Sequence, residues 1–76
     1  MKLSEAKLKC AANYFEFVEI RRNPAAIEEF IAWLYARDGK SFMLCSDNDS
    51  VLSARDIALL VSTLKGVGFR EAKIYF

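Results

Sequence analysis

Tyr14-Phe15-Glu16-Phe17-Val18-Glu19-Ile20-Arg21 is the stretch of this 76-residue chain that decides the fold. Aromatic and β-branched residues fill it and turn-forming residues bound it, so it predicts a β-strand. Because side chains alternate between the two faces of a strand, both faces carry apolar groups. Tyr14, Val18 and Ile20 lie on one face, and Phe15 and Phe17 lie on the other. We therefore expect one of these sets on a sheet face that the rest of the domain does not cover.

The residues before this strand favour a first strand that pairs with it as a hairpin. Apolar residues alternate with lysines from Ala6 to Cys10, which is the period of a strand with one solvated face. Ala12-Asn13 then fits a tight turn, because Asn tolerates the left-handed backbone. A helix from Ser4 to Phe17 is the alternative interpretation of the same residues.

The residues after the strand predict a helix that begins at Asn23-Pro24. Asn can accept hydrogen bonds from free N–H groups as an N-cap, and Pro suits the first helical position. Asp38-Gly39 would end this helix, because Gly can take the left-handed conformation that follows a last turn. The apolar residues that follow the Pro are spaced i, i+3, i+4 and i+7: Ile27, Phe30, Ile31 and Leu34.

The remaining chain predicts a strand, a second helix and a closing strand. Ser41 to Cys45 is a short apolar run, typical of a central strand covered on both sides. A helix from about Ala54 to Lys65 follows a polar loop, and Glu71 to Phe76 alternates as a strand. The prediction is one α/β (α+β) domain over residues 1–76, with two layers, a mixed sheet and the order β-β-α-β-α-β. If the sheet grows in one direction, both helices cover the same face.

Composition limits the functions that the chain can have. Eleven Lys and Arg against ten Asp and Glu give a net charge of +1, which is not the excess of a polyanion-binding surface. The chain has no His and two Cys, so the commonest general base and any multi-thiolate zinc site are missing. Cys10 and Cys45 are interpreted as reduced, small apolar residues. No apolar run reaches the ~18 residues of a membrane span, and no signal-peptide core is present. We expect a cytoplasmic protein, or a periplasmic one if the chain was cut from a membrane-anchored parent.

Three features resemble chemical sites. Asp47 and Asp49 have a spacing that can hold a divalent cation, and Cys45 precedes the start of a predicted helix. Without a longer ligand series or a His partner, we interpret them as a solvated loop and a structural thiol. Phe15-Glu16-Phe17-Val18 resembles the aromatic strand of RNA-recognition motifs, but the accompanying basic and Gly residues are absent. We predict no catalytic, cofactor-binding or metal-binding residue, no enzymatic activity, no small-molecule substrate and no nucleic-acid partner.

Three segments together resemble the periplasmic domain of the ExbD/TolR family, the small partners of proton-driven motor complexes in bacterial envelopes. The first is the predicted hairpin from Leu8 to Ile20 with the following Asn23 to Phe30, and the second is the run from Phe42 to Asp49. The third, from Leu60 to Ile74, contains a Gly-Phe connection before the last strand. The family's N-terminal membrane helix has no counterpart here. The resemblance therefore implies the fold and a dimer-forming or partner-binding role, and it does not imply motor activity.

The first functional hypothesis is a non-enzymatic protein-interaction domain, a small adaptor or inhibitor such as a phage or mobile element encodes. It would bind another protein or a second copy through an exposed sheet face or edge. The alternative is a soluble ExbD/TolR-like domain of an envelope complex that lacks its membrane helix. Trp33 and Leu59 fall outside the apolar stripes of the predicted helices, and Trp is a residue type enriched at interface hot spots. The candidate interface residues are Tyr14, Phe15, Phe17, Trp33, Leu59 and Tyr75.

Overall fold

A computed structural model describes all residues, 1–76, and contains two helices and four strands. In chain order they are α1 (Leu3–Ala11), β1 (Phe15–Asn23), β2 (Ala26–Ala36), β3 (Ser41–Met43), α2 (Ile57–Val67) and β4 (Lys73–Ile74). No helix combines the length and the apolarity that crossing a bilayer requires.

The four strands form one mixed sheet in the order β3-β2-β1-β4. β1 pairs antiparallel with β2 over most of its length, and β2 pairs antiparallel with β3. β4 pairs parallel with β1 at two positions only, Glu19 with Lys73 and Ile20 with Ile74. The predicted α+β class with a mixed sheet is thus confirmed.

Both helices cover the same face of this sheet. Val18, Ile20 and Leu34 point to that face and are fully buried, together with Ala6 from α1. From α2 the buried residues are Leu60, Leu64 and Val67. All of these side chains belong to one apolar cluster between the sheet and the helices, so the opposite face of the sheet has no covering layer.

The predicted first strand, Ala6 to Cys10, is wrong, because these residues lie within α1. Ala, Leu, Lys and Glu are strong helix formers, and the alternation of apolar residues does not outweigh that propensity. Ala6 is fully buried, whereas Leu8 is 75% exposed, so the alternating apolar residues from Ala6 to Cys10 do not share one buried face. The helix ends at Ala11, and Asn13 then adopts a positive φ of 60°. The alternative helix through Phe17 was therefore right in type and too long.

The predicted helix after Asn23-Pro24 is also wrong, because this stretch is β2. Pro24 and Ala25 form the tight turn of a β-hairpin, and the Asn23 side chain accepts a hydrogen bond from the Ala25 N–H at 2.9 Å. Asn therefore acts here in a turn and not as a helix cap. The residues from Ala26 to Ala36 satisfy a helical period, but they also alternate as a strand, and pairing with β1 decides between the two.

The later elements keep their predicted type with changed bounds. β3 is an edge strand and not the expected central one, since its other side has no strand. α2 begins after Asp56, whose side chain accepts from the Ala58 N–H at 2.9 Å, so Asp56 is the N-cap. The closing strand shortens to β4, and the order becomes α-β-β-β-α-β.

Substitutions at Ile27 and Leu34 test the strand assignment of β2. The predicted helix placed both on its apolar stripe, whereas in the sheet Leu34 is fully buried and Ile27 is 70% exposed. We expect Leu34→Ala to lower the free energy of unfolding by about 2–5 kcal/mol, and Ile27→Ala to change it by less than about 0.5 kcal/mol. Urea unfolding followed by circular dichroism measures both, and equal losses would contradict the strand.

Candidate functional site

The face of the sheet opposite the helices, called here the open face, is formed by three rows of side chains. The register of the strands and the alternation of side chains place its members side by side. The first row contains Phe17, Tyr35 and Ser41, the second contains Glu19, Trp33, Met43 and Lys73, and the third contains Arg21, Ile31 and Tyr75.

Two residues in the middle of the open face are buried although no helix covers them. Ile31 is 1% exposed and Glu19 is 6% exposed, and neither belongs to the core cluster on the helix side. Their neighbours on the face must therefore shield them, and the larger side chains lie flat across the sheet. The open face is a packed surface and not a row of free side chains.

Phe17 is held between two neighbours on adjacent strands. Its ring stacks on the ring of Tyr35, with 4.5 Å between the centroids and 16° between the planes. On the side of β4, the Lys73 ammonium lies 5.7 Å from the centroid of Phe17. Phe17 therefore has a contact from β2 and a contact from β4, and 38% of its surface stays exposed.

A charged network occupies the centre of the open face. Arg21 donates from Nε to Oε1 of Glu19 at 2.8 Å, and its Nη2 forms an ion pair with the same oxygen at 2.6 Å. The Arg21 guanidinium lies 5.1 Å from the centroid of Tyr75. Burial acts to raise the pKa of Glu19, but hydrogen bonding from Arg21 and Tyr35, with smaller effects of the Arg21 charge and Tyr75, lowers it overall. The same carboxylate, together with burial, raises the pKa of Tyr35. Glu19 is therefore an anion paired directly with Arg21, and Arg21 in turn contacts the ring of Tyr75 after β4.

A cleft of about 500 Å³ opens beside the face, between β1 and the segment that joins α2 to β4. Its lining includes Phe17 and Lys73, so it is continuous with the open face. Gly68 lies in its wall with a φ of +125°, and a Cβ there would approach the Sγ of Cys10 to 3.1 Å. The cleft has a mixed apolar and charged lining, and the Cys10 thiol is part of it.

The structure brings together Phe17, Trp33 and Tyr75 of the six predicted interface residues. Phe15 lies on the other side of the sheet, because the β-bulge between Phe15 and Phe17 breaks the alternation between these two residues. Phe15 is 6% exposed and packs in the core, 5.3 Å from the ring of Tyr14 and 5.4 Å from that of Phe69.

Tyr14 and Leu59 are also away from the open face. Tyr14 is half-buried against the core, and its hydroxyl donates to Asp38 at 2.9 Å, which raises the pKa of Tyr14. Leu59 is 60% exposed on α2, the helix layer on the opposite side of the sheet. Phe15, Tyr14 and Leu59 therefore do not contribute to the open face.

Asp47 and Asp49, considered above as cation ligands, contact the N-terminal segment. Asp47 accepts a hydrogen bond from the Ser4 N–H at 3.0 Å, and Asp49 pairs with Lys2 at 3.7 Å. Ser4 lies in the first turn of α1, where N–H groups have no partner within the helix, so Asp47 caps that end from a distant loop. The hydrogen bond from Ser4 lowers the pKa of Asp47. Cys45 and Cys10 are both free thiols, half-buried.

The chain matches no protein-family model, no curated protein and no solved structure. The resemblance to the ExbD/TolR family therefore stays a prediction. Asn23 to Phe30, the segment that the resemblance matched to a helix, begins β2 in this fold.

Sequence reasoning missed Tyr35, Glu19, Arg21 and Lys73 as members of this surface. Tyr35 was assigned to a helix. The pattern that could have placed it on the open face is the spacing of Ile31, Trp33 and Tyr35 at every second residue, the same spacing as Phe17, Glu19 and Arg21 on the preceding strand. The two neighbouring alternations predict one shared face as soon as both segments are strands.

The acid dependence of stability tests the Glu19 network. A carboxyl whose pKa is lowered by folding stabilises the fold above its ordinary pKa, and this contribution is lost as the pH falls through the folded value. We expect Glu19→Gln to be less stable than the native chain at pH 7, and the difference to shrink below about pH 4. Urea midpoints from pH 7 to pH 3 measure this, with Glu16→Gln, an exposed carboxyl of the same strand, as the control. A difference that stays constant over that range would contradict the network.

Proposed function

We propose that the chain is a non-enzymatic protein-interaction domain that binds a protein partner through its open face. The observation that supports this most directly is a four-stranded sheet with both helices on one side and an aromatic surface on the other. Phe17 and Tyr75 on this face are 38% and 47% exposed, and exposed apolar surface of this kind is often functional. Aromatic residues and Arg are also the side chains that are enriched at the centres of protein interfaces.

The packing of the aromatic rings favours a protein partner over a nucleic acid. Bases stack on ring faces, so a binding platform for single strands needs those faces free. On the open face Phe17 has Tyr35 on one side and Lys73 on the other, and the ring of Tyr75 is covered by Arg21. These contacts reduce the ring surface of Phe17 and Tyr75 on which a base could stack, and they favour a protein partner.

The network around Glu19 gives this surface its rigidity. The carboxylate holds Arg21 in place, and it acts on the hydroxyls of Tyr35 and Tyr75 from neighbouring strands. Side chains fixed in advance lose little conformational entropy on binding, which strengthens association without added contact area. Arg21 and Lys73 are the exposed charges of the three rows, and Glu19 is already paired.

Substitution of Trp33 and Tyr35 tests the proposal. Trp33→Ser and Tyr35→Ser remove aromatic area from the middle of the face, and we expect each to weaken partner binding by more than about tenfold. The measurement is quantitative affinity capture from the cells that make the protein, with native and variant chains in parallel and circular dichroism to verify folding. Light scattering over a concentration series identifies a second copy as the partner.

Leu59→Ser is the matched control, since Leu59 is an exposed apolar residue on the helix side. The proposal requires a partner that the native chain and Leu59→Ser both bind and the two face variants lose. A partner that all four chains bind equally contradicts it. So does a native chain that stays monomeric and binds no protein.

A further inference from the structure

The cleft lies along a part of β1 that has no strand beside it. β4 pairs with β1 at Glu19 and Ile20 only, so β1 from Phe15 to Val18 has no paired strand on that side. No backbone hydrogen bond joins residues 69–72 to β1. Phe15 and Val18 are buried, so the accessible part of this edge is at Glu16 and Phe17. An unpaired strand edge is a template for an added strand, and many peptide-binding domains use such an edge.

The dimensions of the cleft suit a short segment. Four strand residues span about 13 Å at 3.3 Å per residue, and the space beside them is about 500 Å³. The β-bulge between Phe15 and Phe17 interrupts regular pairing on this strand. Because bulges work against the continued growth of a sheet, the edge suits a few residues of an extended peptide better than a long strand of a second copy.

The charges of the lining indicate which peptide it would take. Arg37, Arg70 and Lys73 line the cleft together with two carboxylates, Glu16 and Glu71, so cations exceed carboxylates by one. Arg37 already donates to Asn13, at 3.0 Å to its carbonyl and at 3.2 Å to its side chain. Arg70 and Lys73 form no ion pair in the chain. A carboxylate bound between these two side chains would satisfy both.

We propose that this cleft binds an extended, acidic segment of the partner protein, paired with β1 in line with β4. The inference rests on the proposed function and adds to it the chemistry of the partner. The peptide backbone would pair with the free edge of β1. Its apolar side chains would contact Phe17 and Phe69, and one carboxylate would lie at Arg70 and Lys73.

Three synthetic peptides test this with the purified chain. Acetyl-Thr-Glu-Val-Glu-Thr-amide is the probe, its counterpart with Lys in place of Glu tests charge, and a version N-methylated at alternate amides removes the strand hydrogen bonds. Amide resonances of the ¹⁵N-labelled protein report binding. We expect the Glu peptide to shift Val18, Phe69 and Lys73, and the other two peptides to bind at least several-fold more weakly. Unmoved resonances at millimolar Glu peptide, or equal binding of all three peptides, overturn the proposal.

Charge reversal at Arg70 separates this site from the open face. Arg70→Glu should weaken the Glu peptide about threefold to fivefold, whereas Lys7→Glu, an exposed lysine of α1 outside the cleft, should not change its affinity. Trp33→Ser should also bind the peptide as the native chain does, because Trp33 does not line the cleft. If Arg70→Glu weakens the Glu peptide but captures the partner protein as strongly as the native chain, the partner does not use the cleft, and only the open face stands. An unchanged affinity of Arg70→Glu would overturn the assigned carboxylate position.

Discussion

The antiparallel ladder between β1 and β2 is the constraint on which the rest of the structure depends. These are the two inner strands, paired at eight positions, and both helices and the two short strands pack against them. The turn at Pro24 and Ala25 fixes their register. A shift by one residue would exchange the faces of β2, moving Leu34 out of the core and Trp33 into it. The short strands cannot compensate, since β3 and β4 contribute three and two residues.

This ladder separates two kinds of packing on its two faces. On one face aliphatic side chains meet the helices and are buried by them, as Val18 and Ile20 are. On the other face Ile31 and Glu19 are buried with no second layer, so aromatic rings and the stem of Arg21 must do the shielding. A charged group in such a place is costly unless it is paired. The contacts from Arg21 meet that condition. Most of the side chains on this face are apolar, and the Glu19–Arg21 pair fixes their arrangement.

The sequence predicts β1 and the second helix from local patterns. Alternating aromatic residues fit a strand, a capped apolar stripe fits a helix, and neither pattern fits the other type of secondary structure well. β2 could not be recognised in this way. Ile27, Phe30, Ile31 and Leu34 satisfy a helical period, while Ala32, Leu34 and Ala36 satisfy a strand period on the same residues, and the choice is made by β1, which is not local to the segment. The candidate surface was predictable to the extent that it depends on β1. Phe17 was found, Phe15 was misplaced by a bulge that no residue signals, and Tyr35 was lost with the strand that carries it.

Phe17 and Lys73 belong to both the open face and the cleft, so the two proposed contacts are not independent. Lys73 lies over the ring of Phe17, and a carboxylate bound in the cleft would compete with the ring for the same ammonium. An exposed cation–π contact contributes about 0.5–1 kcal/mol, so the carboxylate loses little binding free energy by displacing Lys73 from the ring. Moving Lys73 toward the cleft would also uncover one face of Phe17 beside the open surface. A partner whose acidic segment enters the cleft would therefore meet a more apolar open face, and its two contacts, joined in one chain, would strengthen each other by proximity.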